Sequence, residues 1–167
     1  MLILNPRAIR AQYPSELASI MNIGAAHEGR RWLSHWPQIA RHATPLHDLP
    51  DLAERLDIAR LSVKDESVRS PLGSFKALGA PIALVRLFLR LHPDFEPAAI
   101  LTGRYRGQLK DYTVISATDG NHGRGLAAAA RDAGCRCVIV LHAHVSMERE
   151  QAIAVHGAQI VRIPGNY

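Results

Sequence analysis

Tyr112-Thr-Val-Ile-Ser-Ala-Thr-Asp-Gly-Asn-His-Gly-Arg-Gly125 runs from an apolar strand pattern into a glycine-rich turn, and the segments that follow it repeat the alternation. The strand ends near Ala117, an alanine-rich helical pattern continues to about Ala133, and Gly134 is its stop signal. Cys137 to Leu141 reads as a second strand, Ser146 to His156 as a helix, and Ala158 to Ile163 as a third strand. Strands and helices alternating through short links are the pattern of a parallel sheet with right-handed crossovers. The expected fold class is therefore α/β, an open parallel sheet with flanking helices.

The turn itself carries the first candidate site. It places backbone N–H groups and short side chains at the carboxyl end of a strand and at a helix N-terminus, where anions bind well. A purely structural reading is available, in which Asp119 or Asn121 caps the helix and the glycines only fit a tight turn. A dinucleotide fold is a second rival, because Gly120, Gly123 and Gly125 cluster after a strand. Their order is G-x-x-G-x-G, however, and the next strand ends Val140-Leu141-His142 with no acid to hold a ribose, so that rival is rejected.

Upstream lies a second stretch, Lys64-Asp-Glu-Ser-Val-Arg-Ser-Pro-Leu-Gly-Ser-Phe-Lys-Ala-Leu-Gly79. It follows a short strand pattern, passes a turn with Pro71 and Gly73, and enters a long apolar segment at Phe75. Lys76 is expected in the first turn of that helix. Phe75, Leu78, Ile82, Val85 and Leu89 fall at helical spacing and mark the expected buried face. An amine beside such a packed surface loses water, which favours its neutral, nucleophilic form. Alone, the same lysine reads as a stem laid over an apolar face with its ammonium in solvent, and only its surroundings argue otherwise.

The two stretches together resemble the second structural type of pyridoxal-phosphate enzymes, the group of serine and threonine dehydratases, cysteine synthases and diaminopropionate ammonia-lyases. Pro71-Leu72-Gly73-Ser74-Phe75-Lys76 is similar to the turn that presents the cofactor-linking lysine. Thr118-Asp119-Gly120-Asn121-His122 is similar to the loop that gathers the substrate carboxylate, and the aspartate before the Gly-Asn pair is most like the diaminopropionate ammonia-lyase form. The matches, with Gly157-Ala158 and Gly165-Asn166-Tyr167 downstream, cover about residues 44 to 167.

The resemblance implies pyridoxal 5′-phosphate as cofactor, with Lys76 linking to it and moving the proton at the substrate α-carbon. Asn121 would hydrogen-bond the ring oxygen, and Ser74, Thr118 and Gly120 would hold the substrate carboxylate. Asp119 would serve a second amine on the substrate or shuttle the proton that lets ammonia leave, and act as base for one enantiomer. His122 is expected to cap or support rather than to react. The implied reaction is elimination of 2,3-diaminopropionate to pyruvate and ammonia, with a serine or threonine dehydratase as the alternative, because Ser70-Pro71-Leu72-Gly73-Ser74 is closer to the dehydratase form. The group's phosphate-binding loop and the partner of its pyridine nitrogen find no match. We therefore expect an N-terminal portion of a larger homodimeric enzyme, with the fold incomplete and the 167 residues alone binding cofactor poorly or acting as an inactive fragment.

The rest of the chain supplies boundaries. Residues 1 to 44 read as an arm with helices from Pro14 to about Ile23 and from His27 to Ala40, the latter carrying Trp32 and Trp36 on one face. Asp51 to Ile58 reads as a short helix, and His92 to Asp111 as a loop or irregular insertion. The expected division is 1–79, arm and start of the cofactor domain, and 80–167, a small α/β domain. A net charge of +5 could suggest nucleic acid, but the basic residues are scattered and aromatics are only 5%, so no base-stacking surface is expected. No apolar run reaches membrane-spanning length, no secretory leader pattern is present, and a cytoplasmic protein is expected. Cys135 and Cys137 lack a second pair, and the nine histidines show no ligand spacing, so no metal site is expected.

Overall fold

The computed structural model describes Pro6 and residues 11–165. Five strands and eight helices follow in chain order: α1 Ser15–Ala18, α2 Ile23–Leu33, β1 Leu46–Asp48, α3 Pro50–Arg55, β2 Ser62–Lys64, α4 Gly79–Leu91, α5 Pro97–Ile100, α6 Arg106–Leu109, β3 Thr113–Ala117, α7 Asn121–Ala133, β4 Arg136–His142, α8 Met147–Ala154 and β5 Gln159–Ile163. A single 3₁₀ turn, Phe75–Ala77, precedes α4.

Strands β3, β4 and β5 form a parallel sheet in that order, with Val114 opposite Cys137 and Val140 opposite Val161. This is the α/β parallel arrangement expected from the alternation, with α7 and α8 as its crossovers. Along β4, Cys137, Ile139 and Leu141 are buried while the residues between them are less so. The other face of the sheet leaves Ile115, Val161 and Ile163 exposed. β1 and β2 pair antiparallel in a separate two-stranded ribbon, Leu46 opposite Lys64.

Helix α7 is the centre of the core. Gly123, Gly125, Leu126 and every alanine from Ala127 to Ala130, with Ala133, are buried. Small side chains all round let the sheet on one side and α4 on the other approach the helix closely. It stops at Gly134, which adopts the left-handed conformation at φ 90° and returns its N–H to the Ala130 carbonyl.

Three expectations are corrected. The innermost face of α4 is Ala80, Pro81, Leu84, Val85 and Phe88, with Ala77 before it. Of the expected stripe, Val85 is fully buried, Leu78, Ile82 and Leu89 pack at the margin of the core, and Phe75 is 60% exposed. Phe75 lies in the 3₁₀ turn, whose three residues per turn put it out of phase with the α-helix behind it. The face toward α7 is also chosen by small residues, which admit that helix, rather than by large ones.

The second arm helix begins at Ile23, with the Asn22 side chain accepting from Ala25 N–H, and ends at Leu33 rather than Ala40. Trp36 precedes Pro37, and a residue in that position is driven out of the helical region. Trp36 is thus free to bury itself (1% exposed) and to donate from its indole to Asp132 at the end of α7, at 2.8 Å. Trp32 remains on the helix beneath the Arg86 guanidinium, so the two tryptophans do not share a helix face. Finally, 92–111 is not irregular throughout. It contains α5 and α6, and Ile100, Leu101 and Leu109 from it are fully buried. Stacking of His92, Phe95 and Tyr105 rings pins its entry. Among the described residues no helix is long and apolar enough to cross a membrane.

Candidate active site

The lysine turn is built by serines. Ser70 closes its first half, accepting from Leu72 N–H through Oγ and from Gly73 N–H through its carbonyl. Ser74, buried, caps the 3₁₀ turn by accepting from Lys76 N–H at 3.2 Å. The expected shielding of the lysine by the packed face is not found: Lys76 is exposed, and its Nζ stands 5.7 Å from the centre of the Phe75 ring. What is packed is its backbone. The side chain carries no hydrogen bond or ion pair among the described residues.

The asparagine loop is organised by Thr118. Its side chain is buried (2% exposed), and Oγ1 accepts from the N–H groups of Gly120 and Gly123 at 3.2 and 3.3 Å. The cap of α7 thus comes from Thr118, and neither Asp119 nor Asn121 supplies it. Asn121 is exposed as the first residue of α7, and His122, half-buried, is the second. Their N–H groups have no protein partner among the described residues, which leaves donors of a 13-residue helix N-terminus facing outward. Asp119 is exposed at the rim with its carboxylate unpaired among the described residues, while its carbonyl accepts from Arg149 at 3.5 Å.

The two motifs meet through Gly123-Arg124-Gly125, whose glycines were expected only to fit a tight turn. A Cβ on Gly125 would lie 3.1 Å from the Lys76 carbonyl oxygen, so α7 packs directly on the backbone of the lysine turn. A Cβ on Gly123 would lie 2.4 Å from the Thr118 methyl. Arg124 donates to the carbonyls of Leu72 and Pro71, at 3.1 and 3.4 Å. A signal for this existed: two glycines in an otherwise alanine-rich helix cost stability unless something must come close.

Beneath the turn, Glu66 joins β2 to the arm. It accepts from Arg69 Nε at 2.8 Å and from Thr44 Oγ1, and Lys64 reaches the same threonine. The Arg69 hydrogen bonds, followed by that from Thr44, hold the Glu66 carboxyl down to about 2. A carboxylate lowered by folding stabilises the native state above its ordinary value near 4.5, and that contribution is lost as pH falls from there toward 2. Melting curves of the native chain and Glu66→Gln should therefore differ most above pH 5 and converge by pH 2. A constant gap across that range would rule out the assignment.

A cavity of about 940 Å³ opens between α2, residues 39–43 and the start of α4, lined by Arg30, Leu33, Ile39, Arg41, Lys64 and Arg69 among others. Lys76, Thr118, Asp119 and Asn121 do not line it. The lysine turn and the asparagine loop meet instead where Gly125 packs on the Lys76 carbonyl.

The residues at that junction fit a pyridoxal phosphate at one edge. They offer a primary amine without a hydrogen-bond partner among the described residues, a carboxamide at a helix N-terminus, and outward N–H donors. The family model for pyridoxal-phosphate dependent enzymes matches residues 38–167. Diaminopropionate ammonia-lyase of Salmonella typhimurium is 35% identical over 153 residues, which is 89% of this chain and 37% of that protein. The crystal structure of the Escherichia coli diaminopropionate ammonia lyase in apo form superimposes with a TM-score of 0.74 at 31% identity, over 87% of this chain and 39% of that one. The same enzyme in complex with D-serine gives 0.70 at 32% identity, over 86% and 36%. The chain spans well under half the length of these relatives. Its matched segment holds both the lysine turn and the asparagine loop, and the chain belongs to the family of pyridoxal-phosphate dependent enzymes.

Proposed function

We propose that this chain provides the lysine and asparagine walls of a carbon–nitrogen lyase that converts 2,3-diaminopropionate and water to pyruvate and two ammonia. The observation that carries the reading is the direct packing of the Lys76 backbone on α7, which sets the lysine turn beside the loop that holds Asp119 and Asn121. When bound, pyridoxal phosphate supplies an electron sink for the charge left at the substrate α-carbon.

The protein groups divide the remaining work. The Lys76 amine would be the base that takes the proton from the substrate α-carbon. Asn121 orients the cofactor by hydrogen-bonding its ring oxygen. The substrate carboxylate lies against the outward N–H groups at the start of α7, with Thr118, Gly120 and Ser74 around it. Thr118 and Ser74 act chiefly by fixing backbone, since their oxygens already accept from Gly120, Gly123 and Lys76. Asp119 lies at the open rim, where its carboxylate would pair with a second ammonium on the substrate, take one of its protons, and give that proton back to the same nitrogen as the carbon–nitrogen bond breaks and ammonia leaves.

A serine or threonine dehydratase would use the same lysine and asparagine with a hydroxyl as leaving group. Asp119→Asn separates the two readings, on the polypeptide that carries residues 1–167 together with whatever sequence follows. For the ammonia-lyase, pyruvate release from diaminopropionate should fall by about 10²–10⁴-fold, the usual contribution of a positioned proton donor, while release from serine stays within a few-fold. Equal loss on both substrates would remove Asp119 from the discriminating role, and no loss on either would favour the dehydratase.

A further inference from the structure

We propose that Arg124 is the positioning residue that holds the lysine turn in register with the asparagine loop. The proposal rests on the functional reading above for its significance, and on two hydrogen bonds and two close glycine approaches for its geometry. Arg124 extends from the first turn of α7, and its two terminal nitrogens donate to the carbonyls of Leu72 and Pro71, 52 and 53 positions earlier in the chain. Its third nitrogen, Nε, is buried without a protein partner, so the link is carried entirely by the terminal pair. The residues on either side of it are the two glycines whose missing side chains admit Thr118 and the Lys76 carbonyl. Gly125 therefore brings the helix into contact with the lysine turn and Arg124 fastens it there, while Gly123 keeps the loop seated on the same helix.

The lysine turn needs such a fastening. Its internal bonds are local, from Ser70 and Ser74 to amides two or three residues on. Gly73, at φ 61°, gives it a flexible midpoint. Without a long-range tie, Lys76 would be free to swing relative to Asn121, and displacements near 1 Å are enough to cost roughly 100-fold in positioned chemistry. A guanidinium suits the task because its planar fork reaches two neighbouring carbonyls at once, whereas a lysine ammonium offers one point charge.

Amide hydrogen exchange and cofactor titration on the full chain, for the native protein, Arg124→Ala and Arg124→Lys, test this. In Arg124→Ala, exchange at Gly73, Lys76 and Ala77 should quicken at least tenfold, while Ala127 to Ala130 in the body of α7 remain protected. The apparent affinity for pyridoxal phosphate, read from its Lys76-dependent absorbance, should fall about tenfold and recover in part when guanidinium is added. Arg124→Lys should recover less than half of either effect.

Unchanged exchange in the lysine turn would overturn the proposal. So would faster exchange with unaltered cofactor affinity, because the tie would then have no bearing on the site. A native protein that shows no Lys76-dependent absorbance would instead sink the functional reading, and the exchange comparison alone would then decide whether Arg124 fastens the turn.

Discussion

Lys76→Ala should abolish the lysine-dependent absorbance of bound pyridoxal phosphate and lower pyruvate formation from diaminopropionate by at least the 10²–10⁴-fold that proton transfer alone contributes. It should do so without unfolding the protein. The side chain is exposed, and its amine stands over the face of Phe75, itself 60% exposed. The N–H of Lys76 bonds Ser74 whatever the side chain. Urea midpoints for the two proteins should therefore agree closely. Lys76→Arg extends the test: it keeps the positive charge, but a guanidinium holds its proton throughout the neutral range and supplies no neutral amine. It should be as inactive as the alanine variant. Activity in either variant would return Lys76 to the bland reading of a solvated surface lysine.

Gly123→Ala is expected to produce a large loss of stability from a single methyl group. The added carbon would sit 2.4 Å from the Thr118 methyl, 3.1 Å from Ile139 and 3.4 Å from Ile153, all in the interior between α7, the sheet and α8. Thr118 cannot turn aside cheaply, because its hydroxyl would release the Gly120 and Gly123 amides. Overpacking of this kind costs about 1–3 kcal/mol. The clash has a specific remedy: Thr118→Ser removes the offending methyl and keeps the hydroxyl. The double variant should recover most of the lost stability in urea unfolding, giving a strong negative coupling in the mutant cycle. Strict additivity of the two changes would show that the damage arises elsewhere.

The alternation of strand and helix after Tyr112 was legible because apolar period and glycine stops are local signals, and the elements appear within a residue or two of their expected places. The resemblance carried by Ser74 to Lys76 and by Thr118 to Asn121 was likewise local, a matter of short consecutive runs. What could not be read was the packing between them. Arg124 has no neighbour in sequence to mark its partner, which lies more than fifty residues earlier. The exposure of Phe75 follows from a 3₁₀ turn and from the shape of α7, neither of which leaves a trace in the apolar count of the segment. The same holds for 92–111, where Ile100, Leu101 and Leu109 are too sparsely spaced among polar residues to announce a buried pair of helical turns. Lys76 was expected to be shielded by its own helix, yet that helix buries the lysine backbone and turns the amine outward.

Helix α7 is held at both ends. At its start it carries the asparagine loop and grips the lysine turn; at its finish Asp132 accepts from the indole of Trp36 and the amide of Gln38. Thirteen residues at 1.5 Å each make a rod of about 20 Å. A stiff rod clamped at one end transmits tilt and torsion to the other, so a change at Trp36 or Gln38 is expected to reach the start of α7, a rod's length from where it is made.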